Sequence, residues 1–309
     1  MKYEFFLDTL LSLVSDRMKD RCEVRPIQVL KNNGCRLDGL SFLTPGCSIS
    51  PTVYLTPLYS LCEDGMTVDE LADRIVRTAE ETPAPLPVSI PDLTSENTIR
   101  TNTCLRLVSR DRNTEFLADV PHIDFLDFSI IPYLCLGEHE DRRMTAVLHR
   151  SHLQNFDITE EELMQLALEN TVRLFPPTLH SMDEELHLEN VDDPLPLYVL
   201  TNPWAASGAA AILYPNLLKN FADSLGEDLL ILPSSIHEIL LLPSSMVLSL
   251  NDVDKMIREI NATQVSPEER LSDHHYLFHR KDNTISAPTC PEIPAQSLNF
   301  AQMMPCAVA

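Results

Sequence analysis

The stretch Leu229-Leu230-Ile231-Leu232-Pro233-Ser234-Ser235-Ile236-His237-Glu238-Ile239-Leu240-Leu241-Leu242 decides the fold reading. It holds two short apolar runs with a Pro-Ser-Ser break between them. Runs of this length, bounded by turn residues, suit buried strands and are too short for helices. Downstream, Val253, Met256, Ile257 and Ile260 fall at helical spacing, and residues 271–279 alternate as a final strand would. Upstream, residues 214–225 read as a helix closed by Gly226 in a left-handed cap. Residues 195–200 read as a strand, and 208–213 as a second strand or a helix entry. Strands and helices are therefore interspersed around short sheets, which is an α+β pattern.

The same pattern extends toward the N-terminus. Thr159-Glu160-Glu161-Glu162 opens a helix with a good cap and acids at its positive end, and Pro176-Pro177 stop it. Residues 125–136 and 144–149 read as strands, while 99–108 is periodic but ambiguous. Pro83, Pro85, Pro87 and Pro91 exclude a regular element from residues 82–95, because proline fixes φ and lacks an amide donor. Before them, Phe6, Leu10, Leu13 and Val14 mark a helix over residues 3–18. Strands are expected at 22–30, 35–42 and 51–58, with an Asn32-Asn33-Gly34 turn. Thr67 and Glu70 have the spacing of a capping box. The expectation is an α+β protein of two modules, each with short mixed or antiparallel sheets packed with helices. The N-terminal module covers 1–82, a Pro-rich linker 83–95, the C-terminal module 96–280, and a disordered tail 281–309.

Composition removes several function classes. The chain has 309 residues, with 23 Lys+Arg against 46 Asp+Glu and a formal charge of -23. Nucleic acids and anionic membranes need clustered cations, so neither is an expected partner. The seven glycines are too scattered for a phosphate-cradling loop. No segment approaches the roughly 20 apolar residues that span a bilayer, and residues 1–18 lack the layout of a secretory signal. A cytoplasmic location follows as the expectation. None of the eight cysteines has C-x-x-C spacing, so reduced thiols are expected and no cofactor is implied.

Candidate chemistry concentrates in the opening stretch. Ser234, Ser235, His237 and Glu238 together invite a hydrolase reading, since a nucleophilic serine needs a base within reach. Against it, the G-x-S-x-G elbow is missing, and on a strand His237 and Glu238 point to opposite faces. The plainer reading is a serine-capped turn leading into an edge strand. A zincin motif would need histidine where Leu241 stands. His275 and His279 would share a face on a helix, but on a strand they stand roughly 13 Å apart, too far for one metal. His149 and His152 near Asp157, and His122 near Asp124, read as structural hydrogen-bonders. The acids of residues 183–193 lack the pattern of a calcium loop and read as a solvated loop. No metal site is assigned. Asn202 and Trp204, in a loop after a strand, are the candidate ligand-binding residues, with a packing lid as the plainer alternative.

At these residues the chain resembles a known family. The strings are Val199-Leu200-Thr201-Asn202, Gly208-Ala209-Ala210, Leu213-Tyr214-Pro215, Leu232-Pro233-Ser234-Ser235-Ile236-His237-Glu238 and Leu271-Ser272-Asp273-His274. The helix from Thr159 to Asn170 with Thr171, and Tyr54-Leu55 ahead of Gly65, belong to the same likeness. The family is catalogued as domain of unknown function 5688, an uncharacterised bacterial family found mainly in gut Firmicutes. The resemblance implies a bacterial cytoplasmic setting and carries no catalytic role. The functional expectation is a non-catalytic interaction or regulatory protein with an unknown protein or small-molecule partner. The alternative is a hydrolase or small-ligand-binding enzyme using the segment from Pro233 to Glu238.

Overall fold

The structure is a computed structural model that describes residues 1–44, 52–81, 95–139, 142–154, 156–187, 196–288 and 290–294. It divides into two compact units, residues 1–89 and 90–309. The proline-rich residues 82–94 lie outside the described residues.

The first unit is built from α1 (Tyr3–Met18), β1 (Glu23–Leu30), β2 (Arg36–Leu43), β3 (Thr52–Tyr54), α2 (Thr56–Glu63) and α3 (Val68–Glu81). Phe6, Leu10, Val14 and Met18 recur every four residues, so α1 buries one continuous stripe. That stripe meets Leu40 and Phe42 of β2 and Leu71, Ala72 and Ile75 of α3. The β1–β2 hairpin turns where Asn33 and Gly34 take φ of 60° and 68°, the left-handed region that Asn and Gly tolerate best. The α3 helix starts at the expected capping box. The Glu70 amide donates to Thr67 Oγ1 at 3.3 Å, and the Thr67 amide donates to Glu70 Oε2 at 2.9 Å. The expected third strand is shorter than read, because Pro57 sits in the first turn of α2 and diverts the chain into a helix.

The second unit holds two antiparallel sheets. One contains β4 (Thr103–Ser109), β5 (Ile123–Phe125), β6 (Phe128–His139) and β7 (Arg142–Val147), with β6 pairing to the other three. The other runs β14-β13-β12-β10-β11-β9-β8. Its strands are β8 (Thr178–Ser181), β9 (Tyr198–Thr201), β10 (Leu229–Leu232), β11 (Ile239–Pro243), β12 (Tyr276–His279), β13 (Thr284–Ala287) and β14 (Cys290–Pro294). The helices are α4 (Glu96–Asn102), α7 (Glu160–Leu174), α9 (Leu217–Leu225) and α10 (Leu250–Thr263), with short turns α5 (Thr114–Leu117), α6 (Arg150–Leu153) and α8 (Met182–Glu185). The architecture is α+β, with small antiparallel sheets packed against helices.

Why β10 is apolar throughout is clear from its position. Leu229 and Ile231 enter a core shared with Leu105 and Leu107 of β4 and with Met164 of α7. Leu230 and Leu232 enter a second cluster with Ile257 of α10. A strand covered on both faces reads as a continuous hydrophobic run. The strand after the Pro-Ser-Ser break is not an edge strand, as the sequence suggested. Its register pairs Leu240 with Leu232 of β10 on one side and with Val199 of β9 on the other.

Of the two alternatives for residues 208–213, the helical one holds: they are a 3-10 helix. The strand read over 271–279 begins only at Tyr276 and is not the last, because β13 and β14 extend the sheet into the segment read as tail. Residues 295–309 lie outside the described residues. Within the acidic run, Asp183, Glu184 and Glu185 belong to α8, where Ser181 and Glu184 form a capping box, while 188–195 lie outside the described residues. The ambiguous stretch 99–108 contains the end of α4 and most of β4.

Candidate functional site

The Pro-Ser-Ser break is a tight turn between β10 and β11. Ser234 Oγ donates to Glu238 Oε1 at 2.9 Å, and the His237 amide donates to Ser235 Oγ at 3.0 Å. The Ser235 amide donates to the Glu238 carbonyl at 3.3 Å. The two serines and Glu238 thus close the turn on itself, as short hydroxyl side chains do. Neither serine hydroxyl bonds to the His237 ring among the described residues.

The His237 ring turns instead toward the loop after β9. The Ser207 amide donates to His237 Nδ1 at 3.3 Å. Nδ1 is therefore an acceptor, and the ring proton sits on Nε2, 3.4 Å from Glu269 Oε1. The backbone of this segment is also fixed. Thr201 Oγ1 donates to the His237 carbonyl at 2.8 Å, and the Ile236 amide donates to the Glu269 carbonyl at 2.9 Å. Gly208 is required here by space. A Cβ there would stand 2.3 Å from the His237 carbonyl oxygen and 2.4 Å from Thr201 Oγ1.

The loop itself is organised by Asn202. Its Oδ1 accepts from the Trp204 amide at 3.1 Å and the Ala206 amide at 3.3 Å, and its Nδ2 donates to the Ala206 carbonyl at 2.9 Å. Asn202 is thus spent on an Asx turn rather than presented to a ligand. Ala205 and Ser207 take φ of 45° and 55°, conformations that cost non-glycine residues strain. The half-buried Trp204 meets Phe175 edge-on, ring centres 5.7 Å apart, in a cluster with Tyr133, Cys104 and Cys135.

Ser207 links this loop to β4. Arg106 Nε donates to Ser207 Oγ at 2.8 Å, and the guanidinium lies over the Tyr133 ring at 4.7 Å. Burial lowers the pKa of Arg106. Burial likewise drives the Tyr133 phenol far up, helped by the nearby Cys104 and opposed by Arg106. Arg106, Ser207 and Glu269 are not among the residues singled out in the sequence. The signal for Arg106 was present, as the one charge in Thr103-Cys104-Leu105-Arg106-Leu107-Val108-Ser109. The partners of His237 left no local signal, because 30 residues separate it from Ser207 and 32 from Glu269.

The other histidine group does not converge on one point. His275 Nδ1 pairs with Asp254 Oδ1 at 2.7 Å, whereas His279 Nε2 meets Ser286 Oγ at 2.8 Å. His274 Nε2 reaches Asp127 Oδ2 at 2.8 Å, and Tyr276 donates to Asp127 Oδ1 at 2.5 Å. His149 Nδ1 pairs with Asp119 Oδ2 at 2.9 Å, and His122 Nδ1 with the Val120 carbonyl at 2.9 Å. Among the described residues, no group of three His, Cys, Asp or Glu is placed to hold a metal ion. Cavities are lined by described residues of the first unit. One of about 830 Å³ is lined by Lys19, Arg21 and Arg25 among others, and one of about 330 Å³ by Leu7, Leu11 and Asp38 among others. Neither includes a residue singled out above as a candidate. Among the described residues, no helix is long and apolar enough to cross a membrane.

Fold and site together define an α+β protein whose candidate site is a histidine-centred polar cluster where the β10–β11 turn meets the loop after β9. Residues 3–280 match the model of a family described as "Family of unknown function (DUF5688)", and the chain belongs to that family. No curated protein and no solved structure matches it.

Proposed function

We propose that the chain is a non-catalytic interaction or regulatory protein acting in a bacterial cytoplasm, with a protein or small molecule as partner and neither nucleic acid nor membrane. The observation that carries this reading is how the polar groups of the β10–β11 turn are used. Ser234, Ser235 and Glu238 bond to one another or to the turn backbone, and His237 Nδ1 accepts an amide hydrogen. A serine nucleophile needs its hydroxyl on the base. The charge of -23 supports the exclusion of polyanionic partners. The buried thiols Cys104 and Cys135 fit a reducing compartment.

One observation favours hydrolysis as the second reading. Ser207 occupies a left-handed corner between a strand and a 3-10 helix and meets His237 through its backbone amide, His237 faces Glu269, and the Ser207 hydroxyl accepts from Arg106. Purified protein assayed against ester, amide and phosphate panels separates the two. The non-catalytic reading expects no turnover that depends on His237 or Ser207. Hydrolysis abolished by both H237A and S207A, in variants that retain the native melting temperature, overturns it.

A further inference from the structure

We propose that Arg106 anchors a binding site for a small monocarboxylate with an apolar body, seated between the β4–β6 surface and the loop that carries Trp204. Arg106 has five N–H donors. Only Nε has a protein acceptor among the described residues, namely Ser207 Oγ. No carboxylate pairs with the guanidinium there, although Asp+Glu outnumber Lys+Arg 46 to 23. The terminal nitrogens are not sealed unpartnered atoms, and the residue keeps partial exposure, so they remain open to a ligand.

A partly desolvated guanidinium with no counter-charge beside it among the described residues favours a ligand that supplies one. This guanidinium lies over the Tyr133 ring at 4.7 Å and is tied at Nε by Ser207, which leaves its two terminal nitrogens as the fork. That geometry matches the two oxygens of a carboxylate. The charge balance selects a monoanion. The contacts of Arg106 bring no second cation to it among the described residues, and the Glu269 carboxylate lies just beyond His237. Half-buried Trp204, backed by the buried Phe175 ring, supplies the apolar surface for the rest of the ligand.

The inference goes beyond the non-catalytic reading and can fail separately from it. Trp204 is the single tryptophan, so its fluorescence reports on this site alone. The full chain is titrated with acetate, butyrate and phenylacetate, with phenylacetamide and inorganic phosphate as controls. Saturable change is expected with the carboxylates, strongest with phenylacetate, and at least tenfold weaker binding in R106K, which keeps the charge but loses the fork. Should R106K fail to fold by circular dichroism, S207A replaces it, with at least threefold weaker binding expected because the guanidinium loses its orienting acceptor. The proposal is overturned by any of four results: no saturation with any carboxylate, phenylacetamide matching phenylacetate, phosphate saturating where carboxylates do not, or full affinity in the folded variant. Turnover dependent on His237 would overturn the non-catalytic reading and leave this binding result standing.

Discussion

His237 and His274 each sit beside a carboxylate in the second unit, yet their surroundings give them opposite characters. His237 Nδ1 receives the Ser207 amide hydrogen, and Nε2 faces Glu269 only loosely, at 3.4 Å. His274 meets acceptors at both nitrogens, with Nδ1 2.9 Å from the His275 carbonyl and Nε2 2.8 Å from Asp127. Only a ring protonated at both nitrogens donates both bonds. Burial pulls the His274 pKa down, but the hydrogen bonds to Asp127 and the His275 carbonyl, with the charges of Asp127 and Asp254, outweigh it and the net shift is upward. At Asp127, burial raises the pKa, while the bonds from His274 and Tyr276 outweigh it and bring it down. The lesson is that a histidine beside an acid is not one motif. The groups on the far side of the ring decide whether it is a hinge point of a turn or half of an ion pair.

The largest expected effect tests how rigidly His237 is held. In G208A the new methyl would meet the His237 carbonyl and Thr201 Oγ1 inside 2.5 Å, and the Thr201 backbone at 2.9 Å. Backbone cannot yield as a flexible side chain does. A loss of about 3 kcal/mol or more is expected in urea unfolding, at the upper end for overpacking. A change under about 1 kcal/mol would mean that the loop and the turn slide freely.

The His274 pair comes next. D127A removes the acceptor of both His274 Nε2 and the Tyr276 hydroxyl. The cost is expected at about 2 kcal/mol, below the range for fully buried pairs because the two side chains keep 20% and 22% of their exposure. The pH dependence follows from the directions of shift. A histidine with a raised folded pKa contributes fully below its unfolded value, near 6.5, and loses that contribution as pH climbs through the folded value. Asp127, with a lowered pKa, contributes above about 3.9 and loses that as pH falls through its own folded value. The charged groups facing His274 are Asp127 on the β5–β6 turn and Asp254 on α10. Their network is therefore strongest between about pH 4 and 6.5. Unfolding midpoints of the parent and H274Q should converge as pH rises past that window. A gap that stays constant to pH 9 would remove the doubly protonated ring from the account.

The contrast also shows what the chain spelled out and what it did not. Elements set by local periodicity were legible. The α1 stripe from Phe6 to Met18, the Thr67–Glu70 box and the Thr159 cap all follow from spacings under five residues. The run from Leu229 to Leu232 was readable as a strand, but its central place was not, because burial on both faces is decided by α10 and β4, which are distant in sequence. The candidate site fared likewise. Polar residues crowded into one string drew attention to Ser234 and Glu238, which bond each other. Ser207, His237 and Glu269 come together, with Arg106 joined through Ser207, by sheet pairing and loop packing and not as neighbours in the chain.

The smallest effect bears on the turn itself. Ser234 Oγ and Glu238 Oε1 share one partly buried hydrogen bond, and nothing in the geometry of His237 depends on it directly. S234A should therefore cost only about 1 kcal/mol, the net value of one such bond. The Glu238 carboxylate is half-buried and can turn to water, so no sealed charge is left behind. The ring of His237 should keep its place, because Thr201 and Ser207 still hold the backbone carbonyl and Nδ1. Nuclear magnetic resonance of the His237 ring nitrogens reads this directly. Unchanged Nδ1 and Nε2 shifts in S234A, beside displaced shifts in G208A, would show that the loop after β9, and not the serines of the turn, sets the histidine.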